Sequence, residues 1–145
     1  MSLFISFEGI DGCGKSTQMI MLKNKLEALG YKVLTTREPG GTPVGEKIRY
    51  ILLDKENAGM EALTEAYLYA ASRALTVRQV IEPGLAGYDF VLADRYVDSS
   101  LAYQGQARGL GIDAVYNINA PAIGGLFPDI TFLLDGGNIG RWAHM

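Results

Sequence analysis

The sequence predicts an α/β protein built on an open, doubly wound parallel β-sheet flanked by helices. Short apolar runs rich in strand-forming residues alternate with segments whose apolar residues recur at helical spacing, in the order βα-βα-βα-β. The run Phe90–Ala93 is apolar throughout, which is typical of a strand buried on both faces of a parallel sheet. The alternation and the buried run together favour the doubly wound arrangement.

The chain opens with a predicted strand, helix and second strand. Leu3–Phe7 is a short apolar run of strand formers. Apolar residues recur at helical spacing over Lys15–Leu29, and Gly30 follows as a residue that can end the helix. Tyr31–Thr36 is expected to form the second strand.

Two helices are expected after this strand. A dense turn signal precedes Thr42, which is suited to cap a helix whose first residue is Pro43 and which runs through Leu53. A long helix is predicted over about Glu61–Ile81, and Pro83 is expected to stop it because proline lacks the N–H that a helix interior needs.

The second half supplies two further strands. Phe90–Ala93 is the third strand, and Ser99–Arg108 is expected to be helical. Another helix is expected to begin at Asp113, with Pro121 interrupting it. Ile130–Leu134 is the fourth strand.

A phosphate-binding loop joins the first strand to the first helix. Residues 9–16 read Gly-Ile-Asp-Gly-Cys-Gly-Lys-Ser, a complete G-x-x-x-x-G-K-[ST] pattern. The glycines let backbone N–H groups turn towards phosphate oxygens, Lys15 can reach the outer phosphates, and the Ser16 hydroxyl can ligate Mg²⁺. The pattern predicts a P-loop NTPase fold that binds ATP with Mg²⁺. The predicted ATP-binding residues are Gly9, Ile10, Asp11, Gly12, Cys13, Gly14, Lys15, Ser16 and Thr17.

Charged residues follow each of the four predicted strands, namely Asp11, Arg37, Asp94 and Asp135. Ligands of doubly wound sheets collect at the carboxyl ends of the strands. The sequence therefore predicts a single site at that edge.

The residues leave alternatives open at this edge. Asp94 can hold Mg²⁺ through water or accept a proton while Arg95 clamps a phosphate, or the two can form a local ion pair. Arg37 either binds a phosphate or is a solvated loop charge. Tyr69 and Arg73 share one helix face, where they either read a planar base or supply packing and a solvated charge.

Composition gives no reason to expect nucleic acid or a membrane as partner. The net charge is −3 and the isoelectric point is near 5.1. The single Cys13 excludes an intrachain disulfide and suits a reducing compartment, and neither a signal peptide nor a membrane-length apolar run is found. We therefore expect a cytoplasmic location.

Several blocks of the chain closely resemble the thymidylate kinases, and the resemblance runs from Met1 to about Asp135 in order and spacing. The block Asp94-Arg95-Tyr96 with Ser99–Gly105 is much more specific than the phosphate-binding loop, which many unrelated NTPases share. The other matching blocks are Phe7–Gln18, Thr36–Thr42, Tyr69–Arg73 and Gly125–Asp135.

The resemblance implies transfer of the γ-phosphoryl group of ATP to dTMP, giving dTDP, with another P-loop deoxynucleotide kinase as a weaker alternative. It implies a cis peptide at Glu38–Pro39 and a possible homodimer. Lys15, Asp94 and Arg95 would be catalytic, and Ser16 and Asp94 would hold the metal. The implied dTMP-binding residues are Asp11 at the 3′-hydroxyl, Arg37 and Arg95 at the phosphate, Tyr69 stacked on thymine, Arg73 at a thymine carbonyl, Tyr103 at the sugar and Gln104 at the base.

The chain departs from this family in two places. Gly12 stands where one group of members carries an arginine, and members without it supply catalytic Arg or Lys from a lid beyond the fourth strand. Residues 136–145 contain three glycines, match neither a lid nor a last strand, and indicate no clear element. We expect a nucleoside monophosphate kinase core over residues 1–135 and an atypical tail over 136–145. A truncated nucleotide-binding fragment with little turnover is the alternative to an active kinase.

Overall fold

A computed structural model of the protein describes residues 1–134 and 139–143, and these residues contain a five-stranded sheet. The strands are β1 (Leu3–Gly9), β2 (Val33–Arg37), β3 (Phe90–Asp94), β4 (Ile130–Leu134) and β5 (Ile139–Ala143). They lie in the order β2-β3-β1-β4-β5, with the first four parallel and β5 antiparallel to β4. The predicted doubly wound parallel sheet is confirmed for β1 to β4.

Helices connect the strands. They are α1 (Lys15–Ala28), α2 (Pro43–Leu53), α3 (Ala62–Thr76), α4 (Glu82–Gly87), α5 (Val97–Ser100) and α6 (Ile112–Ile123). Two π-helical segments, Val77–Ile81 and Leu101–Ala107, continue α3 and α5, and a 3₁₀ turn spans Lys55–Asn57. Among the described residues, no helix combines the length and the apolar character that crossing a membrane requires.

The predicted start of α2 is confirmed. Thr42 is its N-cap, and the Thr42 hydroxyl oxygen accepts a hydrogen bond from the backbone N–H of Gly45 at 2.9 Å. Pro43 is the first helical residue, a position whose N–H would have no partner within the helix anyway.

Both proline predictions are wrong. The helical path continues through Pro83, which lies in the first turn of α4, because the wider π-helical turn before it shifts the hydrogen-bond register. Pro121 lies in the last turn of α6, which continues to Ile123 and ends at Gly124 in the left-handed conformation. Pro121 removes one backbone hydrogen bond, and only two residues of α6 follow it before the helix ends.

Residues 139–143 form the strand β5, whereas the sequence indicated no clear element in the tail. This strand pairs with β4 from Ile130 opposite Ala143 to Leu134 opposite Ile139. The pairing supplies partners for backbone groups that the edge of β4 would otherwise leave unpaired. Asp135, predicted to follow the fourth strand into the site, lies outside the described residues, and so do residues 136–138.

The register of the sheet brings three strand ends together. Asp94 at the end of β3 lies opposite Phe7 of β1 on one side and Arg37 of β2 on the other. Packing on both faces holds this register. One core cluster includes Phe4 and Tyr96, whose rings meet edge to face at 5.0 Å, and the opposite cluster includes Leu92.

Phe4→Ala should lower the free energy of unfolding by about 3–5 kcal/mol, because Phe4 is 1% exposed and its loss leaves a cavity against Tyr96. Phe127→Ala is the matched control, since Phe127 is 40% exposed, and it should lower stability by less than about 1 kcal/mol. Urea unfolding followed by circular dichroism measures both. Equal losses in the two variants would contradict the assignment of Phe4 to the core.

Candidate functional site

The phosphate-binding loop contacts the end of β3 through Lys15 and Ser16. The Lys15 ammonium donates to Asp94 Oδ1 at 2.5 Å, and the Ser16 hydroxyl donates to Asp94 Oδ2 at 3.2 Å. The parallel pairing of Phe7 with Asp94 places this carboxylate beside the loop. The three predicted residues Lys15, Ser16 and Asp94 thus lie together, as metal and phosphate binding would require.

The donor set of this corner fits Mg²⁺. Ser16 and Asp94 offer a hydroxyl and a carboxylate oxygen, which are the hard ligands that Mg²⁺ prefers. The described residues contain no group of three or more His, Cys, Asp or Glu side chains suited to hold a metal. Mg²⁺ commonly takes one or two protein oxygens and completes its shell with water and substrate phosphates, so the pair is sufficient.

A cavity lies over the loop at the N-terminus of α1. Seven of the predicted ATP-binding residues line it: Ile10, Asp11, Gly12, Gly14, Lys15, Ser16 and Thr17. Cys13 instead packs against the core cluster that contains Phe7. Gly9 has φ +149°, and a Cβ there would lie 2.5 Å from the Leu134 carbonyl oxygen, so this position needs glycine.

A second cleft adjoins the first, and Asp11 lines both. Six of the seven predicted dTMP-binding residues line it: Asp11, Tyr69, Arg73, Arg95, Tyr103 and Gln104. We call it the acceptor cleft after that prediction, since dTMP would accept the phosphoryl group. Its other lining residues are Glu38, Pro39, Arg49, Leu53, Ser99 and Ser100. The sequence thus identified most of the polar side chains that face the cleft.

Arg95 lines the acceptor cleft and contacts Asp11, the residue that lines both cavities. Its Nη2 donates to Asp11 Oδ1 at 2.7 Å, and its guanidinium lies 5.5 Å from the centre of the Tyr103 ring. Arg95 has φ 74°, a left-handed conformation that is strained for arginine, and its backbone N–H donates to the Phe7 carbonyl at 2.8 Å. The Asp94–Arg95 ion pair considered from the sequence is not what forms, since Asp94 pairs with Lys15 and Arg95 with Asp11.

Arg73 is buried rather than solvated, with 1% exposure. Its Nε donates to Glu38 Oε1 at 2.6 Å, and its Nη2 donates to the Tyr96 carbonyl at 3.1 Å. Its Nη1 donates to Ser100 Oγ at 2.9 Å and to Asn119 Oδ1 at 2.6 Å. These bonds use four of the five guanidinium N–H groups.

Arg37 is the predicted acceptor residue that the structure does not bring into the cleft. Its Nη2 pairs with Glu46 Oε2 at 3.0 Å, and both side chains are about half exposed. The cleft contains Arg49 instead, which donates from Nη1 to the Pro39 carbonyl at 2.9 Å. Sequence reasoning missed Arg49, although it shares a helix face with the cleft residue Leu53 four positions on. The Glu38–Pro39 peptide is cis, as the resemblance implied.

Glu8 is a second residue that sequence reasoning missed. Its Oε2 accepts from the Tyr96 backbone N–H at 2.9 Å, and its Oε1 accepts from the Ser99 hydroxyl. Glu8 thereby ties the end of β1 to the start of α5, which carries Ser99 into the acceptor cleft. Burial raises the pKa of Glu8 from 4.5 to about 8.

Known proteins resemble this chain along most of its length. A family model described as thymidylate kinase matches residues 7–140. The thymidylate kinase of Caldanaerobacter subterraneus subsp. tengcongensis is 55% identical over 132 residues, which cover 91% of this chain and 63% of the relative. That of Halothermothrix orenii is 54% identical over 92% of this chain and 64% of the relative. The chain thus spans less than two thirds of the length of these curated relatives.

The fold likeness agrees with the sequence likeness. A crystal structure of thymidylate kinase from Ehrlichia chaffeensis matches with a TM-score of 0.85 and 39% sequence identity. The match covers 92% of this chain and 75% of that one.

Arg73→Met should destabilise the protein by about 3–5 kcal/mol, because it leaves the buried Glu38 carboxyl without its partner. Adding Glu38→Gln should recover part of the loss by removing the uncompensated charge. Arg37→Met breaks an exposed ion pair and should cost about 1 kcal/mol or less. Chemical unfolding of the four proteins measures these differences. The buried pair would lose its assigned role if Arg37→Met and Arg73→Met were equally destabilising.

Glu8 should make the stability of the protein fall as the pH rises. Its folded pKa of about 8 exceeds the ordinary 4.5, so the folded state binds the extra proton between these values, and the free energy of unfolding declines across this range. Glu8→Gln should reduce the decline between pH 5 and pH 8 by at least about 1 kcal/mol. Urea titrations at both pH values check this. Identical declines in the variant and the parent would contradict it.

Proposed function

Because the chain belongs to the thymidylate kinase family, we propose that it transfers the γ-phosphoryl group of ATP to dTMP, giving ADP and dTDP. The observation that carries the proposal is the adjacency of the two cavities. The phosphate-binding loop lines one, six residues expected to bind dTMP line the other, and Asp11 lines both.

The phosphate-binding loop would bind the phosphate donor, ATP. The loop N–H groups and Lys15 would hold the outer phosphates and offset their negative charge. Ser16 and Asp94 would hold Mg²⁺, which neutralises charge on the ATP phosphates when it is bound. The Lys15–Asp94 contact holds the lysine ammonium beside the loop.

The acceptor cleft would bind dTMP, the phosphoryl acceptor. Arg95 would bind the dTMP phosphate, and Asp11 would accept from the 3′-hydroxyl of the sugar. Tyr69 would stack on the base, while Arg73 donates to a carbonyl and Gln104 contributes to reading the base. Phosphoryl transfer needs chiefly an in-line arrangement of acceptor and donor, and two adjoining cavities would support it by holding the two nucleotides next to each other.

Other properties stay predictions, the first two from the resemblance and the others from composition and the lack of a signal peptide or a membrane-length apolar run. They are a role for Arg37 at the dTMP phosphate, a homodimer, a cytoplasmic location and the absence of nucleic-acid or membrane partners. Rotation of Arg37 away from Glu46 would be needed for its predicted role, because the pair now holds the guanidinium at the end of β2.

Purified protein should bind dTMP in calorimetric titrations and release ADP in a coupled assay faster with dTMP than with dUMP, dCMP or dGMP. Lys15→Met should lower turnover by about a hundredfold or more while dTMP binding persists, because the lysine acts on the donor phosphates. Lys25→Met is the control, since Lys25 is exposed on the same helix.

The measurements separate three outcomes. Absence of any preference for dTMP in both binding and turnover would refute the thymidylate assignment. Preferential dTMP binding without ADP release would identify a nucleotide-binding fragment. Preferential binding with turnover would establish the kinase.

A further inference from the structure

The two ends of the Gln104 amide, at the acceptor cleft, differ in their hydrogen bonding. The side chain is 2% exposed and lines the cleft. Its Nε2 donates to Glu65 Oε1 at 3.3 Å, while its Oε1 is buried without a hydrogen-bond partner among the described residues. A buried acceptor without a partner destabilises the protein, so a ligand that donates to it removes that penalty.

The orientation of this amide depends on Glu65. The Glu65 carboxylate can only accept hydrogen bonds, so the nitrogen end of the Gln104 amide must face it. Glu65 is itself fixed from the far side, because Arg108 Nη1 donates to Glu65 Oε2 and Arg108 Nη2 donates to the Met60 carbonyl at 2.9 Å. Glu65 thus accepts hydrogen bonds from both Gln104 and Arg108, and its two carboxylate oxygens are held between these two donors.

We propose that Glu65 is a positioning residue for base selectivity, which turns the Gln104 oxygen towards the cleft so that the site takes a base offering an N–H beside a carbonyl. The inference rests on the proposed function and deepens it. Arg73, a donor that lines the same cleft, complements the carbonyl, and the Gln104 oxygen complements the N–H.

The chemistry of the bases makes this arrangement selective. Thymine and uracil each carry an N3–H next to the C4 carbonyl. Neutral cytosine has an unprotonated N3 next to an amino group, so it would set an acceptor against the Gln104 oxygen and a donor against Arg73. A site built around buried hydrogen-bonding groups discriminates strongly when those groups stay unpaired. Glu65 would therefore influence the choice of base without touching it.

Glu65→Gln tests the proposal because it should reverse the direction of the hydrogen bond between positions 65 and 104. Arg108 can only donate, so it would take the amide oxygen of the new side chain and leave its NH₂ facing Gln104. Gln104 would then turn its own oxygen to this NH₂ and its nitrogen to the cleft. We expect the ratio of dTMP to dCMP affinity to fall by about tenfold or more. The ratio of dTMP to dUMP affinity should stay unchanged, because both bases carry the N3–H.

A second substitution should restore the original polarity. In the double variant Glu65→Gln with Gln104→Glu, the carboxylate at position 104 accepts from the amide at 65 and offers its other oxygen to the base. The preference for dTMP over dCMP should return. Glu61→Gln is the matched control, since Glu61 is an exposed glutamate at the start of the same helix, and it should leave every ratio unchanged.

Calorimetric titration of the complete chain and its variants with dTMP, dUMP and dCMP gives all the ratios. A purely structural role for Glu65 would weaken all three nucleotides alike, and that result, or no change, would overturn the proposal. Failure of the double variant to recover the preference for dTMP would overturn it as well. If the unaltered chain shows no preference for dTMP over dCMP, the proposed function fails and this inference fails with it. If only the variants behave otherwise than expected, the inference alone is wrong.

Discussion

The acceptor side of the molecule depends on one buried guanidinium. Arg73 reaches from α3 to Glu38 after β2, to Tyr96 and Ser100 around α5, and to Asn119 on α6. A buried charge is tolerated only where its partners are close and well oriented, so these segments have little freedom to shift independently. Burial raises the pKa of Glu38, and the adjacent Arg73 guanidinium opposes that shift. The buried carboxylate and the buried guanidinium therefore each stabilise the charge of the other. Three of the segments linked by Arg73 also supply walls of the acceptor cleft, so the bonds of this one side chain connect those walls to one another.

The sheet supplies the other half of the site in a different way. The parallel register sets Asp94 beside the phosphate-binding loop. The next residue, Arg95, donates its backbone N–H to the Phe7 carbonyl and is held in a strained left-handed conformation. Glu8 adds a tie from β1 to the start of α5. Strain of this kind persists only where the surroundings determine the conformation, and in this conformation Arg95 donates to Asp11, which lines both cavities.

Sequence patterns anticipated what depends on local rules. The phosphate-binding loop, the Thr42 cap and the four parallel strands follow from spacing and residue type, and these features are present. The errors concern local geometry and pairing that residue type alone does not determine. A π-helical turn precedes Pro83, residues 139–143 pair with the edge of β4, and Arg37 pairs with Glu46 nine positions away. In each case the residues involved lie close in sequence, but their types are compatible with more than one local structure or partner.

The same distinction separates the residues that sequence reasoning found from those it missed. Tyr69, Arg73 and Gln104 carry recognisable chemistry at a matching position, whereas Glu65 acts through an amide 39 positions away. Its importance shows only in the pairing of atoms, since one end of the Gln104 amide is hydrogen-bonded and the other is buried with no partner in the described part of the chain. Glu38 Oε2 is a second buried acceptor of this kind at the cleft. Two unsatisfied acceptors destabilise the free protein, and a base or sugar that donates to them removes that penalty. Ligand selectivity and the stability of the bound state would therefore come from the same few atoms.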